Sequence, residues 1–213
     1  MQTEKGQSIE DASMEMIENE IGNHDYNKRE WPIVRRIIHS TADFDFASKN
    51  RIIFSNDAIE SGVKALKNGC NIVVDVNGVI GGLNKQNPKD FKNNIICNIS
   101  SPEIMELAKK QGKTRSQVAM RAAYSEMEGG IVVIGNAPTA LLEVIQMVKE
   151  GSVKPALIIG IPVGFISSPE SKDALSQISE VPFITNIGRK GGSSSASAIV
   201  NALYKLLRLD LTP

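Results

Sequence analysis

Six short runs rich in isoleucine and valine recur along this chain and leave little choice of fold. They are RIIFS (51–55), NIVVDV (71–76), NIICNI (94–99), GIVVIG (130–135), PALIIGIP (155–162) and PFITNIG (182–188). None alternates apolar with polar residues, so each reads as a strand buried on both faces. Helical segments separate them. Strands joined through helices imply right-handed crossovers and a parallel sheet with helices on both sides. The expected fold is therefore α/β: three layers, α/β/α, around a mainly parallel central sheet, Rossmann-like in plan.

The helices announce themselves through their ends. Ser8 can cap a first helix, with Asp11 in its first turn and Ile9, Met16 and Ile21 near helical spacing. A second helix is expected from about Trp31 to His39, with Pro32 in its first turn and Val34 and Ile38 on one face. Gly69 and Gly151 suit C-caps. Ser101-Pro102, Thr114 and Ser168-Pro169-Glu170 open further helices, and a last one runs from about Ser194 to Leu207. No internal repeat, low-complexity segment or long linker interrupts this rhythm. One domain over residues 1–213 is expected, with N-terminal helices (about 8–40) packing on the α/β core.

Composition narrows the function classes. Twenty-four basic side chains balance 24 acidic ones, so no overall field favours nucleic acid or a membrane surface. The longest apolar run, PALIIGIPVGFI, is broken by Gly and Pro and is too short to span a bilayer. The polar start MQTEKGQSIED reads as free of a signal peptide. Cys70 and Cys97 share no CxxC spacing and read as structural thiols, with no metal site. Together these features suggest a reduced, cytoplasmic protein.

In such sheets ligands bind beyond the carboxyl ends of the strands. The loops expected there are NGVIGG (77–82), NAPTA (136–140), VGFISSPESK (163–172) and RKGGSSS (189–195). The last holds Arg189, Lys190, Gly191 and Gly192 just before a helix. Glycines admit close backbone approach and a helix start offers unpaired N–H groups, so this is an anion site on paper. A solvated basic turn is the plain alternative, and neither a Walker loop nor GxGxxG is present. Asn136 supplies a donor and an acceptor at the sheet edge, and Thr139 can cap the next helix; simple turn chemistry would explain both. Arg115, at a helix start, could bind a carboxylate or merely face water.

The stretch RRIIHSTADFDFA (35–47) holds one of only two histidines. Arg35 and Arg36 lie on the neighbouring helical face and would lower the pKa of His39. The helix C-terminus, Asp43 and Asp45 would raise it. The balance is a histidine poised near neutrality, suited to general acid catalysis; a capping or core histidine is the alternative. His24, in polar GNHDYNK, reads as exposed.

Four blocks in order, RRIIHSTADFDFA, GGIVVIGNAPTALLEVI, KPALIIGIPVGFISSPESK and ITNIGRKGGSSSASAIVNAL, resemble the precorrin-8X methylmutase family of cobalamin biosynthesis, over about Ile9 to Leu207. The resemblance implies an isomerase that moves a methyl group from ring carbon 11 to ring carbon 12 of a corrin precursor. The product would be cobyrinic acid or metal-free hydrogenobyrinic acid. It implies no bound cofactor, any cobalt being carried in the substrate, and a homodimer with sites near the subunit interface.

On the same resemblance His39 is the catalytic residue, protonating the macrocycle. Arg35, Arg115, Arg189, Lys190 and the N–H groups of Gly191 and Gly192 suit the rim carboxylates. Thr41, Asp43, Asn136, Ala137, Pro138, Thr139 and Gly164 complete the expected substrate-binding set. Two positions depart from the family pattern: Ser40, where alanine is usual, and Gly78, where methionine is common. Two other functions fit parts of the sequence. A non-catalytic corrinoid carrier would not need a titrating His39. A nucleotide or phospho-sugar enzyme using GRKGGSS would carry the dinucleotide fingerprint that is missing here.

Overall fold

The computed structural model describes residues 3–48 and 51–212. Six strands form one sheet: β1 (Ile52–Phe54), β2 (Ile72–Val74), β3 (Ile95–Ile96), β4 (Ile131–Ile134), β5 (Leu157–Gly160) and β6 (Phe183–Asn186). Their order across the sheet is β1-β6-β5-β4-β2-β3. All neighbours are parallel except β1, which runs antiparallel to β6 with Ile53 opposite Thr185. The sheet is thus mainly parallel, as expected, with one antiparallel strand at an edge. A short apolar strand can pair in either direction, and here Ile52–Phe54 runs against Ile184–Asn186.

The period of two sorts the strand side chains into two cores. Ile72, Val74, Ile131, Val133, Leu157 and Ile159 face one side. There they meet α2 (Trp31–Thr41), α3 (Ala58–Lys67) and α10 (Ser193–Asp210). Val73, Val132, Ile134 and Ile158 face the other side, toward α7 (Arg115–Ala122), α8 (Pro138–Lys149) and α9 (Ser168–Ser176). The sheet is therefore covered on both faces.

The N-terminal helix α1 (Glu4–Ile21) begins earlier than expected. Thr3, not Ser8, is its cap, accepting from the Gly6 N–H at 3.1 Å. It lies against α2 through Glu18, whose carboxylate accepts from the Trp31 indole N–H (3.0 Å) and pairs with Arg35 (2.6 Å). α2 runs antiparallel along α10: Arg29 pairs with Asp210 at one end and the Ser40 hydroxyl reaches the Ser194 carbonyl at the other.

The segment NGVIGG, expected as a loop, is a short helix, α4 (Asn77–Gly82). Val79 is fully buried and α4 lies hard against α10; a Cβ on Gly78 would come within 3.0 Å of Ser193 Oγ. Further on, α5 (Gln86–Asp90) leads to β3, and α6 (Pro102–Gln111) is capped as expected by Ser101.

The topology fixes where a ligand can sit. From β2 the chain goes outward to β3, then returns to β4 on the other side of β2 and proceeds through β5 to β6. The direction reverses between β2 and β4, and a crevice opens beyond the carboxyl ends of strands at such a point.

Candidate active site

Asp75 follows β2 at that reversal. It is fully buried, and its carboxylate accepts three backbone N–H bonds from the turn after β4: Gly135 (2.9 Å), Asn136 (2.9 Å) and Ala137 (2.8 Å). Burial pushes its carboxyl above the ordinary range, and the three donors oppose that shift. The result is a rigid turn. Asn136 is left exposed at its tip, Ala137 is buried, and Pro138 opens α8. Thr139 does not cap α8, because the preceding Ala137 occupies the cap position. Its hydroxyl instead bonds the Thr114 hydroxyl at 2.9 Å. That contact brings the start of α7, with exposed Arg115, beside the turn. Asp75 had no role in the sequence reading; a lone acid closing an apolar strand was its only signal.

The loops after β5 and β6 are stitched together. Gly164 N–H donates to the Arg189 carbonyl (3.1 Å), and Gly192 N–H donates to the Ile161 carbonyl (2.9 Å). The Gly192 N–H is therefore spent inside the protein, which corrects its expected role as a carboxylate donor. Among the described residues the Gly191 N–H has no backbone partner. A Cβ at Gly191 would meet the Ile161 carbonyl oxygen at 2.3 Å, so only glycine lets these two loops lie so close. Just beyond, Ser195 in the first turn of α10 is fully buried with an unpartnered hydroxyl.

Lys190 reaches out of this loop to the segment that follows α2. Its ammonium bonds Asp43 (2.9 Å) and Asp45 (2.5 Å). Both aspartates were expected to raise the pKa of His39; they are held by Lys190 instead. The His39 imidazole lies below its ordinary range, first through burial, then through the Arg36 charge, with Glu10 opposing. A histidine poised near neutrality by Asp43 and Asp45 is thus corrected to one that sheds its proton more readily. Thr41 spends its hydroxyl on the helix end, donating to the Ile37 carbonyl at 2.8 Å.

His39 itself is half-buried near the end of α2, next to the residue that touches α10. Arg35, one turn earlier on the same face, is drawn toward α1 by Glu18. It lines a cleft of about 350 Å3 together with Arg36, Gln7, Glu10, Lys205 and Arg208. His39 does not line that cleft. The other histidine, His24, was expected to be exposed; its ring stacks on Trp31 at 3.8 Å.

Arg189 is exposed and its guanidinium lies 5.4 Å from the Phe165 ring centre. Phe165 (79% exposed) and Ile166 (86% exposed) stand out from the same loop. Arg189, the Gly191 N–H and uncovered apolar side chains thus share one edge of the sheet, and the Lys190 bridge ties that edge to the segment just after His39. Among the described residues no three His, Cys, Asp or Glu side chains gather as a metal site.

A family model described as precorrin-8X methylmutase matches residues 8–206. The chain belongs to the precorrin-8X methylmutase family. A cobalt-precorrin-8 methylmutase of Priestia megaterium is 48% identical over 210 residues, covering 99% of this chain and 92% of that protein. One from Leptospira interrogans is 43% identical, covering 96% and 95%. The crystal structure of a precorrin-8X methylmutase from Thermus thermophilus superposes with a TM-score of 0.88 at 37% identity, covering 98% of this chain and 99% of that one. This methylmutase is accordingly an isomerase of cobalamin biosynthesis, on the α/β fold that its strands foretold. No helix among the described residues is long and apolar enough to cross a membrane.

Proposed function

We propose that the substrate is cobalt-precorrin-8 and that His39 is its proton donor. The choice of the cobalt form rests on the two curated relatives above, which carry that name at 48% and 43% identity, against 37% for the Thermus protein named for precorrin-8X. The metal rides in the macrocycle, and no resident cofactor is assigned.

The reaction is an isomerisation: a methyl group leaves ring carbon 11 and bonds to ring carbon 12. His39 lends a proton to the macrocycle, which eases the migration, and takes it back as the conjugation re-forms. Nothing is gained or lost overall. Such a shift needs a fixed substrate, one proton and a sheltered pocket. Arg189, Lys190 and the Gly191 N–H suit the rim carboxylates, with Arg115, Arg35 and Asn136 around them.

The observation that carries this reading is the Lys190 bridge to Asp43 and Asp45, which joins the cationic loop to the segment just after His39. Thr41, Asp43, Ala137, Pro138, Thr139, Gly164 and Gly192 shape the walls; Gly192 does so through its backbone fold rather than its N–H. A homodimer is supported by Phe165 and Ile166, two large apolar side chains left uncovered beside the site. A cytoplasmic setting is supported by two free cysteines, Cys70 and Cys97.

The test is an absorbance assay with cobalt-precorrin-8 and precorrin-8X in parallel, using wild type and His39→Ala. Conversion by wild type, faster with the cobalt form, and slow conversion by a variant that still binds is the expected result. Faster turnover of the metal-free form would overturn the substrate assignment, and undiminished turnover by His39→Ala would remove the proton donor. Sedimentation at several concentrations reads the dimer; a monomer throughout refutes it.

A further inference from the structure

Lys172 is a lysine with almost no contact with water: it is 1% exposed. It sits in α9, in the SPESK block, and among the described residues its ammonium faces no carboxylate at bonding distance. It donates instead to the Lys190 carbonyl (2.8 Å) and to Asn186 Oδ1 (3.3 Å). Asn186, at the end of β6 and fully buried, turns its own amide N–H to the same Lys190 carbonyl (2.7 Å) and to the Ile187 carbonyl (3.3 Å).

A buried ammonium without a counter-ion is costly, and an apolar side chain of the same length would fill the space more cheaply. What the amine adds is a fixed, charged donor beneath one peptide of the 189–192 loop. A second carbonyl of the loop, that of Arg189, accepts from the Gly164 N–H. Between these two anchors the Arg189 and Lys190 side chains leave the loop in set directions.

We propose that Lys172 is a positioning residue for this reaction: it holds the 189–192 loop in the conformation that presents Arg189 and Lys190 to the substrate's carboxylates. The inference rests on the reading that this loop binds those carboxylates. Lys172 does not touch the reacting atoms, so its loss weakens binding and leaves the chemical step alone.

Burial lowers the Lys172 amine to about 8, with Asp173 on its own helix opposing and Arg51, before β1, adding to the fall. Lys190, by contrast, is raised by its bonds to Asp43 and Asp45. The anchor therefore weakens as pH rises through about 8. The neutral amine keeps two N–H groups but loses the charge that strengthens both bonds.

The experiment compares KM and kcat of wild type, Lys172→Met and Arg189→Ala, with the wild type and Lys172→Met followed from pH 7 to pH 9. Lys172→Met is expected to raise KM about tenfold, the scale of one charged hydrogen bond, with kcat within about twofold. The wild-type KM is expected to rise across that pH range, and that of Lys172→Met to stay flat. A raised KM in Arg189→Ala with an unchanged KM in Lys172→Met overturns the positioning role alone. Unchanged KM in both overturns the reading of the loop as well. Should Lys172→Met fold poorly, the wild-type profile decides: a KM that stays flat through pH 8 overturns the proposal.

Discussion

The Lys190 ammonium lies 2.9 Å from the Asp43 carboxylate, across 147 positions of sequence. This contact fastens the loop before α10 to the segment after α2, and so ties the cationic edge of the site to its histidine. The same ammonium holds Asp45, so one cation faces two anions before any substrate arrives.

Removing Lys190 therefore does more than delete one cation. Lys190→Ala leaves two unneutralised carboxylates facing the rim carboxylates of the proposed substrate. The expected result is a KM raised by about tenfold or more, with steeper dependence on ionic strength. Adding Asp43→Asn and Asp45→Asn should recover part of that loss, because the repulsion goes with the charges. Steady-state kinetics on the single and the triple variant checks this; a triple variant no better than Lys190→Ala shows that the bridge acts by ordering the loop alone. Thermal stability should change little, since exposed ion pairs are weak.

The proposed role of His39 predicts a pH dependence of turnover set by its environment. Burial and the Arg36 charge hold the imidazole below its usual range. With His39 as the proposed proton donor, the active form is the imidazolium. In the free enzyme it is therefore lost as pH rises through a value below about 6.5. The profile of kcat/KM, which reports the free enzyme, should fall on that alkaline side. Arg36→Gln removes the second cause and leaves Glu10, so the limb should move to higher pH. His39→Ala should cost about 10²- to 10⁴-fold in kcat. A limb that stays in place in Arg36→Gln means that another group titrates.

Much of this molecule could be read from its sequence, and the failures have physical reasons. β2, β4 and β5 were legible because strands covered on both faces are apolar without a break, and all of their residues but the terminal Gly160 are apolar. The direction of β1 was not, since RIIFS offers the same apolar run to a parallel or an antiparallel neighbour. α4 was hidden by four loop-like residues in NGVIGG; it is helical because Val79 has a core to enter. Thr139 looked like a cap from its place after Pro138, yet a hydroxyl partner on α7 takes it. In the site, His39 and the RKGG loop stood out because their residue types are rare or conformationally special. Asp75 and Lys172 did not, because a charge in a short motif reads as surface until tertiary packing buries it.

Asp75 carries a prediction of its own. Its carboxylate accepts from three backbone N–H groups and is closed off from water. Asp75→Asn keeps the shape but turns an amide N–H toward donors that need an acceptor. At least one bond to a charged group is lost and a buried donor is left unpaired, a cost of about 3 kcal/mol. For a chain of this size that lowers Tm by roughly 6–12 °C. The turn carrying Asn136 should loosen with it, so kcat should fall even at temperatures where the variant is folded. Calorimetry and single-turnover rates check both halves; a variant as stable as wild type shows that the turn does not depend on this carboxylate.

Gly191 gives the sharpest steric test. Its φ is +149°, and a Cβ there would lie 2.3 Å from the Ile161 carbonyl oxygen and 2.9 Å from that of Pro162. Both are backbone atoms at the end of a central strand, so neither can swing aside as a side chain would. In Gly191→Ala the loops after β5 and β6 must part, which strains the Gly192 N–H bond to Ile161 that joins them. A strained backbone position of this kind costs about 1–3 kcal/mol. The comparison is Gly81→Ala, at an exposed position of α4, where a Cβ meets nothing within 4 Å; gaining helix propensity, that variant should be as stable as wild type or slightly more so. Thermal melts should therefore separate two glycine-to-alanine changes by several degrees. KM should rise in Gly191→Ala alone, because only there do Arg189 and Lys190 move. Equal KM values in the two variants would mean that the close approach of these loops serves the fold and not the binding of substrate.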